Sequence, residues 1–490
     1  MKRIPFVLVL GLILWEFSLP YTSSAQTILS PQEYIDNVLK ANKELQHSIV
    51  GAMAVDENGE VIARCNPETR LSTASTMKTI STGLGLLTLG PDYRFETSVA
   101  YTGSITVDGT LKGDIYIIGG GDPTLGSKDD IAYPIDSIFA IWTDAVKQQG
   151  IRRIDGRIIG DSRYFEKEMI PGTWEWGDLG YYYGSGTSGL NFQENLSSFE
   201  ISPGSTEGSS PRIRPIAPYS PEMTYLNEST TKSGSRENIE YLVSDIYPIG
   251  KFTGTYGITR GRDTIDFSNK YPEITCACAF SEYLTDQGIQ SDGYSDEASA
   301  PYDFLSTIAT TYSPELKDIA YVTNHISNNF FAETIFKSLS KVDSTSSKGS
   351  YDEARLKAYF LLDSLGLDMQ GYDQIDGSGL TARNFVSPHF FCDYFSAMEK
   401  SAVFPEFLAS FPQPGGKGTL KSVLSKENYQ TKRKVHAKSG SITGVRCYAG
   451  YVEHNGGYIK FAIQFNNYTC PTSRIQPLIE GFIATLAHYE

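Results

Sequence analysis

Many of the patterns that would mark a common hydrolase or ligand-binding class are missing from these 490 residues. No serine sits in a G-x-S-x-G elbow and the six histidines fall in no recognisable catalytic context, so a Ser-His-Asp hydrolase has no support. Cys276 and Cys278 resemble half a metal site, but no second Cys or His pair stands at ligand spacing around them, which argues against structural zinc. The glycine-rich GGGDPTLGSK ends in Ser127-Lys128 rather than Lys followed by Ser or Thr, and Pro123 interrupts it, so it does not read as a phosphate loop. Positive charge is scarce: 42 Lys and Arg against 57 Asp and Glu give a net charge of −15. An acidic body does not attract a phosphate backbone, and nucleic acid is set aside as a partner. No internal repeat is detectable.

What is present starts with MKRIPFVLVLGLILWEFSLPYTSSAQ, in which Lys2 and Arg3 precede a short apolar run and Ser23, Ser24 and Ala25 form a small-residue cleavage site. Glu16 and Pro20 leave that run too short and too interrupted for a membrane span, and no cysteine stands at the cleavage site to carry a lipid. Residues 1–25 are therefore expected to be a secretory signal peptide, and the mature protein to reside in the periplasm or cell envelope with a net charge of −16. The six cysteines, Cys65, Cys276, Cys278, Cys392, Cys447 and Cys470, are an even number in an exported chain and leave room for one or more disulfides, whose connectivity is not readable.

The length suits two or three domains. IVGAMAVDENGEVI alternates around Asn58-Gly59 and reads as a hairpin; RCYAGYVEHNGGYIKFAIQF repeats that logic around Asn455-Gly456-Gly457, and SRIQPLIEGFIATLAHYE closes the chain with helical spacing. Both ends are expected to complete one antiparallel sheet flanked by helices, an α+β fold. From Pro91 to Tyr247 the texture changes to short strands, Gly- and Ser-rich loops and few long helical patterns. The expected organisation is a body over 26–93 and 300–490 with a mostly-β region inserted over 94–299. That region divides into two nested parts, 94–170 with 265–299, and 171–264.

Within LSTASTMKTI, Ser75 and Lys78 stand three apart on a helix-compatible run, so both project from one face and an amine can reach a hydroxyl. A lysine at its ordinary pKa of ~10.4 is a poor base at neutral pH, and the pair works only where the amine is desolvated or beside another cation. By itself S-x-x-K is a frequent chance pattern. Downstream, NHISNNFFAE contains Ser327-Asn328-Asn329, and VHAKSGSITGVRCYAGYV contains Lys438-Ser439-Gly440 at the head of a strand. S-x-x-K, S-D-N and K-T-G recur together in β-lactamases and penicillin-binding proteins; here the second element reads S-N-N and the third K-S-G, in the same order.

On these three elements, and on LGPDYRFET, GDIYIIGGGDPTL, WEWGDLGYYYGSGTSGLN, DGSGLTARNFVSP and GGKGTLK, the chain resembles the low-molecular-mass class C penicillin-binding proteins. These are serine D-alanyl-D-alanine carboxypeptidases and endopeptidases with a large insertion after the S-x-x-K helix. The resemblance implies a penicillin-binding-protein/β-lactamase-like transpeptidase fold that needs no cofactor and no metal. It implies peptidoglycan stem peptides as substrate and β-lactam antibiotics as covalent inhibitors. It makes Ser75 the acylated nucleophile, Lys78 its base, Ser327 the proton relay, Asn329 a partner of the substrate amide, and Lys438 with Ser439 the carboxylate site. The amides of Ser75 and Ser441 would form the oxyanion hole, and Gly440 would leave room for a substrate strand at the sheet edge. Arg383, just beyond DGSGL, and Asp161 in GDSRYF are candidates for the distal end of the stem peptide; the aromatic run Trp174 to Tyr183 reads as packing.

Two rivals remain. A β-lactamase shares fold and nucleophile, but 252 positions separate Ser75 from Ser327, and no deacylating Glu motif is evident. A noncatalytic envelope scaffold or β-lactam sensor has no need of Ser75, Lys78, Ser327, Asn329 and Lys438 together. N-terminal sequencing of the exported protein is expected to read from near Gln26; retention of Met1 on an integral membrane form would overturn the cleavage.

Overall fold

The computed structural model describes residues 29–342 and 347–490, so the expected signal peptide lies outside the described residues. Along the body run strands β1 (Ile49–Val55) and β2 (Val61–Cys65) and helix α1 (Met77–Leu89). After the inserted region come α2 (Leu316–His325), α3 (Asn329–Ser338), α4 (Tyr351–Ser364) and α5 (Pro388–Glu399). Strands β3 (Val435–Ile442), β4 (Val445–His454), β5 (Gly457–Asn466) and helix α6 (Thr472–Ala487) close the chain.

The five strands form one antiparallel sheet in the order β2-β1-β5-β4-β3, with β1 paired to β5 from Ile49 opposite Asn466 to Val55 opposite Lys460. Both expected hairpins are present. Asn455 and Gly456 take φ +44° and +81° between β4 and β5, the left-handed pair that a two-residue hairpin turn needs. Side chains alternate across the sheet: Tyr448, Val452, Phe461 and Ile463 pack with Ile479 and Phe482 of α6, whereas Ala449, Tyr451 and Ala462 pack with α1 and α5. Burial on both faces makes β4 and β5 nearly continuous apolar runs, each large side chain contributing about 1.5–3 kcal/mol. Helix α1 lies within the helical layer, its Met77, Ile80, Leu84 and Leu86 all fully buried.

The inserted region has the few helices its sequence allows and one boundary that differs from the sequence reading. It holds two helices, Ile135–Gln148 and Pro272–Asp286, packed through the edge-to-face contact of Trp142 and Phe280, against a mixed sheet. The spacing of Ile138, Phe139, Trp142 and Val146 carried that helical signal within Gly- and Ser-rich flanks. In addition, Ser306–Tyr312 pairs with Glu96–Tyr101, so the inserted sheet reaches past residue 299 to Tyr312. A separate all-β cluster gathers Phe199, Tyr241, Phe252 and Phe267 between strands of residues 196–268.

All six cysteines are free thiols. Cys276 and Cys278 are two apart on one helix and point in different directions, and Cys392 and Cys447 are buried at separate places in the core. Among the described residues no helix is long and apolar enough to cross a membrane.

The start of α3 explains why this chain reads S-N-N. Asn328 is its N-cap, with Oδ1 accepting from the Phe331 amide at 3.0 Å, a task that Asp performs as well. Its Nδ2, however, donates to Glu194 Oε2 of the inserted region at 2.8 Å, and a carboxylate cannot replace that donor. Asn328→Asp is expected to cost about 1 kcal/mol in urea unfolding by setting two carboxylates in contact. Adding Glu194→Gln should remove the penalty, and a wild-type midpoint for Asn328→Asp alone would refute this account.

Candidate active site

Ser75 lies in the 3-10 turn Ala74–Thr76 that leads into α1, and the residue before it, Ala74, is held at φ +43°. An alanine in the left-handed region is strained, and such strain persists where the surroundings overdetermine it. One turn on, Lys78 has no exposed surface. Its Nζ lies 2.9 Å from Ser75 Oγ, 2.7 Å from Asn329 Oδ1 and 2.7 Å from the Ser378 carbonyl. Two of these partners accept only; the hydroxyl can also donate.

Burial pushes the Lys78 amine down from its ordinary 10.5 to about 7, against the opposing pull of Glu333 and Asp376. These two buried carboxyls clasp the loop that carries Ser378. Glu333, one turn beyond Asn329 on α3, accepts from the amides of Gly377 and Ser378 at 3.0 and 2.8 Å. Asp376 accepts from Gly379, Thr381 and Asn384, and from the Trp174 indole of the inserted region at 2.9 Å. Burial raises both carboxyls, Glu333 to about 8.

The S-N-N and K-S-G elements meet on the far side. Ser327 takes φ +62°, a left-handed value uncommon for serine, at the junction of α2 and α3. Lys438 Nζ donates to Ser327 Oγ at 2.9 Å and to the Ser439 carbonyl at 2.7 Å. It too is fully buried, and desolvation, with Lys78 nearby, drives it well below the usual lysine value. A Cβ at Gly440 would stand 2.7 Å from the Thr73 carbonyl and 2.9 Å from the Ser75 nitrogen, so the missing side chain lets β3 pack on the Ser75 turn. That contact sets Ser441 beside Ser75, and both border a cleft of about 380 Å³ with Asn329 and Thr443.

The opposite wall comes from the inserted region: Glu175, Asp178, Tyr182 and Tyr183. The aromatic run thus divides. Trp174 is buried packing, whereas Tyr182, 62 % exposed, faces the cleft, because the 3-10 turn Tyr182–Gly184 rotates the run outward. Asp161 does not join this site; it is buried in the inserted sheet with Arg163 spanning its carboxylate, Nε to Oδ1 at 2.9 Å and Nη2 to Oδ2 at 2.5 Å. Arg383 is exposed beyond the DGSGL loop, next to the lining residue Ala382 but outside the lining itself. Ser127 and Lys128 bond Glu194 and Asp266 inside the inserted region, as structural groups. Glu333 has no reading in the sequence, and Glu175 and Asp178 have none of their own although they lie in the quoted WEWGDLGYYYGSGTSGLN stretch, because a lone acidic residue is ordinarily a solvated surface charge.

A family model described as the D-Ala-D-Ala carboxypeptidase 3 (S13) family matches residues 32–484. The chain belongs to this family. It is 26 % identical over 469 residues, 92 % of this chain and 83 % of the other, to a D-alanyl-D-alanine carboxypeptidase of an Actinomadura species. The crystal structure of penicillin-binding protein 4 from Haemophilus influenzae superposes with a TM-score of 0.79 at 21 % identity, covering 93 % of this chain and 98 % of that one. The same protein in complex with a β-lactam gives 0.74 at 20 % identity over the same shares. The protein is a serine-type D-Ala-D-Ala carboxypeptidase, with the α+β fold of the penicillin-binding proteins.

In this peptidase the Lys78 amine is neutral above about pH 7 and carries a proton below it. The rate constant for acylation is expected to fall as pH drops through about 7, with a slope of one proton. A flat profile down to pH 5 would show that Lys78 titration does not gate the step.

Proposed function

We propose that the protein trims peptidoglycan stem peptides through an acyl-enzyme on Ser75. The observation that carries this reading is the arrangement at Lys78. A neutral amine has two N–H donors, which match the acceptors Asn329 Oδ1 and Ser378 O and leave its lone pair for the Ser75 hydroxyl. Lys78 then takes the Oγ proton as Oγ attacks the carbonyl carbon between the two D-alanines. Charge on the carbonyl oxygen is met by the amides of Ser75 and Ser441. Ser327, polarised by Lys438, relays that proton from Lys78 to the leaving D-alanine nitrogen, the C–N bond breaks, D-alanine departs and Lys78 is neutral again. Water, deprotonated by the same base, hydrolyses the ester and restores Ser75. Asn329 aligns the substrate amide, while Lys438, Ser439 and Ser441 draw the terminal carboxylate to the edge of β3.

The cleft also suits D-alanyl cross-links, because Glu175 and Asp178 present carboxylates to a second, amine-bearing peptide. With Asp161 occupied by Arg163, these two residues are the acidic groups available there; Arg383 stays a candidate for a more distal acidic group. A β-lactam, a strained amide beside a carboxylate, acylates the same oxygen. The signal-like start supports action in the envelope.

Labelled penicillin is expected to attach at Ser75, and Ser75→Ala to lose both label and peptidase activity; a label mapped to another serine would sink the assignment. Lys438→Ala should cut kcat/KM more for a D-Ala-D-Ala substrate with a free carboxylate than for its amidated analogue. Equal losses would leave Lys438 with Ser327 alone.

A further inference from the structure

Lys270 is a buried amine for which the chemistry above has no use. It follows the strand Asp263–Ser268, is 3 % exposed, and forms no salt bridge among the described residues. Burying an unpaired ammonium is costly, and a methionine or leucine would fill the same space at lower cost. The side chain instead donates to two main-chain carbonyls, Gly184 at 2.5 Å and Ser185 at 3.0 Å, at the end of the turn Tyr182–Gly184. The residue just before these, Tyr183, presents its carbonyl to Asn329 Nδ2 at 2.9 Å.

That last bond decides the orientation of a catalytic amide. With Nδ2 committed to Tyr183, Oδ1 of Asn329 is the atom aimed at Lys78 Nζ, 2.7 Å away. Were the turn to shift, Asn329 would lose the contact that tells its oxygen from its nitrogen. A flipped amide would set an N–H against Lys78, where an acceptor is required to direct the lone pair to Ser75.

We propose that Lys270 is a positioning residue for the acylation step, acting from the inserted region through the Tyr182–Gly184 turn and the Asn329 amide on Lys78. The inference rests on the roles given to Asn329 and Lys78 above. The inserted region is then part of the machinery that orients the base as well as a wall of the cleft. Neither carbonyl bond requires a charged lysine, since a neutral amine still offers two donors, so the support persists on either side of the pH at which Lys270 titrates, about 7.

A double-mutant cycle on the full chain tests this, with acylation by labelled penicillin followed as a time course above pH 7. Lys270→Met is expected to slow acylation about tenfold in the wild-type background but no more than about twofold in Asn329→Ala, because the route it supports is already gone. Lys270→Arg, which keeps donors for the carbonyls, should recover most of the rate. Equal losses from Lys270→Met in both backgrounds would overturn the proposal and leave Lys270 a fold-stabilising residue. Wild-type acylation by Asn329→Ala alone would instead remove the role given to Asn329, and the route with it. If Lys270→Met does not fold, as judged by thermal unfolding, Lys270→Leu, which also lacks a donor, takes its place in the same cycle with the same two criteria.

Discussion

The whole site follows from one demand: an amine must be kept out of water without being left unsatisfied. Lys78 sits on a helix buried on all sides, so its charged form is disfavoured and the lone pair is available near neutral pH. Desolvation alone would leave the nitrogen without partners. Asn329 and the Ser378 carbonyl supply two acceptors, and each has to be held by groups of its own. The clasp of Glu333 and Asp376 on the loop around Ser378, and the bond from Asn329 to Tyr183, are consequences of that single burial.

The inserted region takes its significance from the same demand. It meets the body where α1, α3 and the loop over 376–381 converge. Trp174 donates to Asp376, Tyr183 accepts from Asn329, and Glu194 accepts from Asn328. Lys337, farther along α3, reaches the Glu166 and Glu168 carbonyls. Replacing the region by a short linker would orphan several of these buried polar groups at once, each at a cost of about 1–3 kcal/mol. A trimmed body retaining penicillin acylation is therefore not expected from this architecture, even though Ser75 and Lys78 both lie outside the insertion.

Strain and close approach are concentrated beside the reacting groups. Ala74, which precedes Ser75, and Ser327, whose hydroxyl bonds Lys438, are both non-glycine residues with positive φ. Gly440 allows β3 to touch the Ser75 turn, so the edge strand of the sheet and the turn that leads into α1 are in direct contact. The sheet, closed by pairing of the first and last strands of the body, provides the stiffness that keeps this contact in register.

Local chemistry was legible in the sequence because it depends on residues close together in the chain. The S-x-x-K spacing puts Ser75 and Lys78 on one helical face, and the Asn-Gly turns fix two hairpins. The ordered set with Ser327, Asn329 and Lys438 pointed to the family, and the α+β body closed by both ends was readable from strand alternation together with the helical spacing of the closing segment. What the sequence could not contain was the set of contacts between distant segments. Asp161 is carried on a strand of the inserted sheet, buried and paired with Arg163, and so lies outside the cleft lining. Glu175, Asp178 and Glu333 look like ordinary surface charges until folding sets the first two beside Ser75 and buries the third behind Lys78. A pKa near 7 for a lysine is a property of the space around it, and that space is assembled from segments hundreds of residues apart.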